Sequence, residues 1–195
     1  MFNISKKNIS LIVSFFLIIG LMILCWKIFT NNQKTDQKQD LNPSKYENII
    51  KKINNKNVQN LHEAENFIIK NKNIYGTLTA LSLSKKYILN NKLNEAFIAL
   101  NNSLEYTKEE NLKILLQLNI VKIKIEKNQN KQAIEILKQI HNHNWDNIIE
   151  QIKGDIFINI NKKKEAIQSW KKSLLTENSN ASKEIINMKI NNIKD

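Results

Sequence analysis

Two histidines separated by one residue, His141 and His143, form the densest group of potential metal ligands in the sequence, with Asp146 three residues further on. A protein metal site of the zinc type needs three or four ligands and hydrogen-bond support around them. No further histidine or cysteine is close in the sequence, since His62 stands alone and Cys25 falls within an apolar segment. We therefore interpret the pair as part of a solvated turn between helices, and we predict no metal and no cofactor.

The carboxylates and glycines of the 195-residue chain also argue against catalysis. The adjacent pair Glu109 and Glu110 stands at a predicted helix start, where negative charge complements the helix dipole. The motifs GxGxxG, GxxxxGK[ST], HExxH and GxSxG are absent from the sequence. Three glycines and one proline are too few for an all-β sandwich or a dinucleotide-binding enzyme. The sequence therefore predicts a non-enzymatic protein without a small-molecule substrate.

The formal net charge of +12 comes from lysine alone, because the chain contains no arginine. Lysine, asparagine and isoleucine are all used heavily, which indicates an AT-rich coding bias. The lysines are scattered among polar residues, without interleaved aromatic side chains for stacking and without arginine for base reading. We predict no nucleic-acid partner. Anionic lipid headgroups near the linker are a better match for the positive charge than nucleic acid is.

One segment, residues 8–26, is uncharged and almost wholly apolar. As a helix it would be about 28 Å long, which is close to the hydrocarbon thickness of a bilayer. The residues after it are too large for a signal-peptidase site, and Cys25 lacks the small preceding residues of a lipoprotein. The sequence predicts an uncleaved transmembrane anchor at 10–29, with Trp26 and Lys27 at the interface.

Charge alone leaves the orientation of this anchor open. Lys6 and Lys7 precede it, and four lysines follow it at positions 27, 34, 38 and 45. A short N-tail (1–9) and a polar linker without periodicity (30–42) flank the anchor. Asn42 and Pro43 are typical of a helix start, with Asn42 as the cap and Pro43 in the first turn.

From residue 43 to the end, apolar residues recur with helical spacing, first at 46–53 and 61–68. Three segments, 92–104, 130–140 and 162–174, are versions of one helix, and their alanines Ala96, Ala133 and Ala166 lie 37 and 33 residues apart. A partner helix precedes each copy, at 76–90, 110–127 and 145–160. Short alternating stretches at 120–125 and 156–160 lie within these helices, so we predict helix there. A last helix at 182–193 would cap the array through Ile185, Ile186, Met188 and Ile190.

A helix pair of about 34 residues is the period of a tetratricopeptide array, in which a small residue on the first helix lets the second approach closely. The last pair fits best, with Gly154, Phe157, Ala166, Trp170 and Ser173 at the motif positions. The middle pair is degenerate, since Val121 and Lys124 replace a small and an aromatic residue. The alternative is a generic helical bundle with coincidental alanines. We predict an all-α protein, in which one transmembrane helix precedes a tetratricopeptide-like solenoid (43–195).

Several stretches resemble one known family, the YfgM-like ancillary subunits of the bacterial Sec translocon. They are the NxYG stretch at Asn73, Tyr75 and Gly76, the W…KGD stretch at 145–155, and the closing MKINNIKD at 188–195. The resemblance extends from the anchor to the C-terminus.

This resemblance implies an inner-membrane protein with a cytoplasmic N-terminus and a periplasmic helical domain. It also implies association with the SecYEG channel and with a PpiD-like periplasmic chaperone, and a role in passing translocated proteins to chaperones. Candidate partner-binding residues on the first helices of the pairs are Asn73, Tyr75, Lys113, Gln117 and Asn119. The alternative function is a membrane-anchored scaffold for another envelope assembly process.

Overall fold

The computed structural model describes residues 22–23, 43–54 and 58–194 of the chain. The chain divides into two units, Met1–Leu41 and Asn42–Asp195. The predicted tail (1–9), anchor (10–29) and linker (30–42) lie outside the described residues, apart from Met22 and Ile23, which are helical. Among the described residues, no helix combines the length and the apolar character needed to cross a membrane.

The described residues after position 42 are helical throughout and contain no strand, which confirms the predicted all-α class for this part of the chain. The predicted start at Pro43 is confirmed, whereas its cap Asn42 lies outside the described residues. A 3₁₀ turn at His143–Trp145 precedes the seventh helix. The helices are α1 (Pro43–Asn54), α2 (Val58–Lys70), α3 (Ile74–Leu89), α4 (Leu93–Tyr106), α5 (Glu110–Glu126), α6 (Asn130–Lys138), α7 (Asp146–Asn159), α8 (Lys163–Thr176) and α9 (Asn180–Lys194).

Three of the helix pairs, α3–α4, α5–α6 and α7–α8, are closed by the same turn. In each turn one asparagine has a positive φ, at 57° in Asn91, 57° in Asn128 and 61° in Asn161. Each asparagine lies five residues before the repeated alanine. Two backbone hydrogen bonds define a Schellman motif around it, in which the asparagine N–H and the next N–H satisfy carbonyl groups at the helix end. The bonds are Asn91 N to Ile88 O and Lys92 N to Tyr87 O, Asn128 N to Ile125 O and Gln129 N to Lys124 O, and Asn161 N to Ile158 O and Lys162 N to Phe157 O, all at 2.8–2.9 Å.

The apolar core runs through the array as three neighbouring clusters. The first joins α1 to α5, the second joins α5 to α7, and the third joins α8 and α9 with Phe157 of α7. The hairpin α1–α2 contributes Ile49, Ile53, Ala64 and Ile68 to the first cluster. A fourth helix pair therefore precedes the three that the alanine spacing predicted, and it covers the first of them. Each helix buries its apolar side only against neighbours, as in a solenoid.

The last pair differs from the first two in the sizes of the residues that stand opposite each other between its helices. At the repeated position of the first helix stand Ser84, Val121 and Gly154, and opposite them by register stand Leu100, Leu137 and Trp170. A methyl group added to Gly154 would overlap the indole ring of Trp170, which is almost fully buried. Glycine is therefore required where the facing side chain is largest.

Lys124, which stands where the motif has an aromatic residue, still contacts an aromatic ring. Its Nζ lies 4.7 Å from the ring centroid of Phe97 in the preceding pair. The lysine stem covers apolar surface while the ammonium group rests over the ring. The middle pair thus adds this cation–π contact to the apolar packing of Leu116, Ile120 and Ile123 against its neighbour.

The closing helix α9 packs through one side only. Ile186 and Ile190 are buried and Ile193 is packed against them, whereas Ile185 and Met188 are exposed. The expectation that Ile185 and Met188 cap the array is therefore wrong. Residues 186, 190 and 193 recur with i, i+4, i+7 spacing, and that periodicity puts the other two on different sides of the helix.

A polar cluster fixes α9 to the last helix pair. Lys189 Nζ lies 2.7 and 2.9 Å from the two carboxylate oxygens of Asp155 and 5.6 Å from the ring centroid of Trp170. Trp170 Nε1 donates to Asp155 Oδ1 (3.0 Å) and to Gln151 O (3.1 Å). The W…KGD stretch and the closing MKINNIKD stretch therefore meet in space through Asp155 and Lys189.

We expect alanine at the three turn asparagines to destabilise the helical domain. A residue with a Cβ pays about 1–2 kcal/mol in the left-handed region, which glycine and asparagine tolerate. Asn161→Ala should lower the free energy of unfolding by about 1 kcal/mol, whereas Asn161→Gly should leave it nearly unchanged. The measurement is urea unfolding of the full chain in detergent, followed by far-UV circular dichroism.

The matched control is Asn102→Ala, because Asn102 is exposed within α4 and has helical backbone angles. There alanine should raise stability by about 0.5 kcal/mol through its higher helix propensity. Equal effects of alanine at 102 and 161 would contradict the role assigned to the turn.

Gly154→Ala should cost about 1–3 kcal/mol, because the added methyl group forces the Trp170 indole to move within a packed core. Ser84→Ala, at the equivalent position facing a leucine, should cost less than about 1 kcal/mol. In a double-mutant cycle with Trp170→Leu, the Gly154→Ala cost should largely disappear, because the smaller side chain removes the overlap. If the two substitutions change the free energy of unfolding additively, a clash with the Trp170 indole is not the cause of the Gly154→Ala effect.

Candidate functional site

The first helices of the three pairs expose the same register positions to solvent. Leu78 and Leu115 are half-buried and Ile148 is exposed, although all three are apolar. Seven residues after each of them comes a charged side chain, Lys85, Lys122 and Asp155 in turn. We call these six residues the A-helix face. Exposed apolar side chains rimmed by polar or charged ones mark interaction sites on protein surfaces.

The A-helix face is open at the first two pairs and partly closed at the third. Lys85 and Lys122 are exposed, and no ion pair to a described carboxylate restrains either of them. Asp155 is bound by Lys189 from α9 and by the indole of Trp170. The closing helix therefore occupies the last position of the face, and two cationic positions remain accessible.

The candidates Asn73 and Tyr75 stand at the start of α3, where both side chains have structural contacts. Asn73 Oδ1 accepts hydrogen bonds from Tyr75 N (3.0 Å) and Gly76 N (3.2 Å) and so caps the helix. The Tyr75 ring stacks on Tyr46 of α1, with 5.1 Å between ring centroids. The side of Tyr75 that remains exposed is available to a partner, whereas the Asn73 oxygen is already used by the helix.

Gly76, the last residue of the NxYG stretch, is needed for close packing at this helix start. A methyl group there would overlap the backbone oxygen of Asn71, so the end of α2 and the start of α3 come together only with glycine. The Tyr106 hydroxyl also lies beside this position and hydrogen-bonds Ser103 Oγ at 3.1 Å. Burial raises the pKa of the Tyr106 phenol, although its hydrogen bonds oppose this shift. The phenol is thus a neutral structural group at neutral pH.

The candidates on α5 do not share one side of the helix. Lys113 and Gln117 are four residues apart and lie on the same side. Asn119 is two residues from Gln117, about 200° around the helix, and lies next to Leu115 and Lys122. Its Nδ2 donates to Leu115 O at 2.8 Å. Of the three, only Asn119 therefore adjoins the A-helix face.

Two of the histidines have local contacts with carboxylates. His143 Nδ1 lies 2.9 Å from Asp146 Oδ2, and His62 Nδ1 lies 2.9 Å from Glu65 Oε2. His141 is exposed. Within the described part of the chain, no three His, Cys, Asp or Glu side chains are grouped so as to hold a metal ion.

Polar bridges close each pair between the start of its first helix and the segment after its second. Thr77 and Thr107 hydroxyls lie 2.9 Å apart in the first pair. Trp145 Nε1 donates to Asn111 Oδ1 (3.1 Å) in the middle pair, and Asn147 Nδ2 donates to Glu177 Oε2 (3.0 Å) in the last. These bridges give Trp145, from the W…KGD stretch, a structural role.

Sequence reasoning missed the charged positions of the A-helix face, although a signal for them was present. Lys85, Lys122 and Asp155 each directly follow the residue of variable size, at 84, 121 and 154. Aligning the repeats on that residue would have identified them. It would also have separated Asn119 from Lys113 and Gln117.

Known proteins similar to this chain agree on one family. Residues 5–195 match a family model described as a tetratricopeptide repeat-like domain. A protein of Buchnera aphidicola subsp. Acyrthosiphon pisum, named ancillary SecYEG translocon subunit, is 63% identical over 195 residues, which is 100% of this chain and 99% of that relative. Proteins of the same name from Buchnera aphidicola subsp. Schizaphis graminum and from Escherichia coli K12 are 54% and 27% identical. These alignments cover 96% of both chains in the first case, and 88% of this chain and 82% of the relative in the second.

No solved structure matches the chain. The match of the family model along almost the whole sequence and the full-length identity of 63% lead to the same assignment. The chain belongs to the tetratricopeptide repeat-like family of ancillary SecYEG translocon subunits, the YfgM-like family that its NxYG, W…KGD and C-terminal stretches resemble.

Proposed function

We propose that the chain is a non-enzymatic ancillary subunit of the Sec translocon. The observation that carries this proposal is the full-length 63% identity to a relative named ancillary SecYEG translocon subunit. At that identity the folded domain and its surface are largely shared, so a shared partner is the simplest explanation. The SecYEG channel is the first proposed partner.

The proposed location is the inner membrane, with residues 10–29 as a single anchor, a cytoplasmic N-tail (1–9) and a periplasmic helical domain (43–195). The uncharged apolar segment supports the anchor, and the orientation is the one that the resemblance to the YfgM-like family implies. The linker (30–42) keeps the domain near the channel exit, which raises its effective concentration there.

In this proposal the A-helix face binds partner proteins at the periplasmic exit. Leu78 and Leu115 provide apolar contact, and Lys85 and Lys122 select segments that carry carboxylates. A PpiD-like chaperone or an emerging chain would dock there, and the protein would help to pass translocated chains to periplasmic chaperones. Asn73, Tyr75, Lys113, Gln117 and Asn119 remain predicted contact residues.

The proposal is tested by site-specific photo-crosslinking in native membranes. A photoreactive residue at Leu115 should yield adducts with SecY or with a PpiD-like protein, whereas one at Ile98, exposed on the second helix of the first pair, should yield few. Probes at Gln117 and Asn119 would show which side of α5 is used. Adducts exclusively with another envelope machinery would contradict the proposal and favour the scaffold alternative.

Reversing the two open charges of the A-helix face should weaken partner binding. Lys85→Glu with Lys122→Glu should lower the crosslink yield from position 115 at least threefold, because each reversed charge costs about 0.5–1 kcal/mol at an exposed site. The matched control is Lys51→Glu with Lys131→Glu, which changes the net charge equally at exposed positions elsewhere. Equal losses in both variants would show that only the overall charge matters and would reject the assigned face.

A further inference from the structure

The outer side of α8 carries a group of lysines that the fold does not use. Lys164, Lys171 and Lys172 are all exposed, and their spacing puts them on one side of the helix. Leu175 continues the same side and is 84% exposed. We call these four residues the α8 outer face.

No described carboxylate neutralises the α8 outer face. Glu165, at its edge, pairs with Lys162 at 3.8 Å. Glu177, beyond the end of the helix, accepts hydrogen bonds from Asn147 Nδ2 (3.0 Å) and Ser179 N (2.8 Å). Glu184 of α9 is exposed and has no ion pair with these lysines. The three ammonium groups therefore present their charge to solvent.

The repeats show that these lysines are not required by helix packing. In α4 the equivalent positions are Asn94, Asn101 and Asn102, and leucine at 175 corresponds to Glu105. In α6 the equivalent residues are Lys131, which is exposed, Lys138, which is paired with Glu135 at 2.8 Å, and Gln139. The same structural positions are thus neutral or acidic in the first pair, include one lysine without a described carboxylate partner in the second, and include three in the last.

We propose that the α8 outer face binds the anionic surface of a lipid bilayer. Lysine ammonium groups act as point charges and suit a diffuse layer of phosphate headgroups, whereas arginine forks suit defined carboxylates. The three charges lie on a single helix together with an exposed leucine that can enter the headgroup region. Each lysine near such a surface contributes about fivefold to partitioning.

This inference rests on the membrane location proposed above but not on the translocon contact. The proposed translocon contact and the proposed lipid contact can therefore be refuted independently. Lost SecY adducts with intact lipid contact would reject the earlier proposal alone, and the converse result would reject only the lipid contact.

The test is lysine acylation of the full chain in lipid nanodiscs, read by mass spectrometry. Discs of phosphatidylcholine are compared with discs that contain one quarter phosphatidylglycerol. Lys164, Lys171 and Lys172 should be acylated at least threefold more slowly in the anionic discs, and about 0.5 M salt should abolish the difference. Lys51 and Lys70, which are exposed on other helices, should react equally in both discs.

In charge-matched variants, the acylation rate of Lys164 reports whether the α8 outer face contacts the lipid. Lys171→Asn with Lys172→Asn, which introduces the residues of the first pair, should remove the protection of Lys164. Lys51→Asn with Lys70→Asn should preserve it. Equal acylation of Lys164 in the two lipids, or protection only after a purified protein partner is added, would overturn the lipid assignment.

Discussion

The distance between the two helices of a pair is the constraint on which the rest of the domain depends. In the last pair this distance requires glycine at position 154, because the facing Trp170 indole leaves no room for a Cβ atom. A turn with one residue in the left-handed region then returns the chain at the correct angle. Because both conditions are local, each pair can form in the same way and stack on its neighbour.

This constraint explains how the chain retains its fold with an unusual composition. A positive φ is tolerated by glycine and by asparagine, so an asparagine-rich chain can close all three pairs without glycine. In the part of the chain that the structure describes, glycine remains where a Cβ atom cannot fit, at Gly76 against a backbone oxygen and at Gly154 against an indole. At another motif position a different residue type is tolerated: Lys124 lies over the ring of Phe97 where the motif has a buried aromatic residue.

Much of the helical domain was predictable because its rules act over short distances. The spacing of Ala96, Ala133 and Ala166 predicted three helix pairs, and their helices lie where they were expected. Contacts between distant segments were not predictable, such as Asp155 with Lys189 or Trp145 with Asn111, because many residues could have partnered each of them. Helical periodicity alone predicts that Asn119 lies on a different side of α5 from Lys113 and Gln117. The comparison between repeats is needed to recognise that this side is part of the A-helix face.

The net charge of +12 is the sum of lysines in different environments, so it has no single function. Lys124 lies over an aromatic ring, and Lys189 is paired with the carboxylate of Asp155 between α7 and α9. Lys85 and Lys122 recur on the first helices, where they are exposed to solvent. Lys164 stands where the first pair has Asn94, on an exposed side of α8. A coding bias that favours lysine accounts for their number, but only the local contacts decide which of them are free to attract an anionic partner.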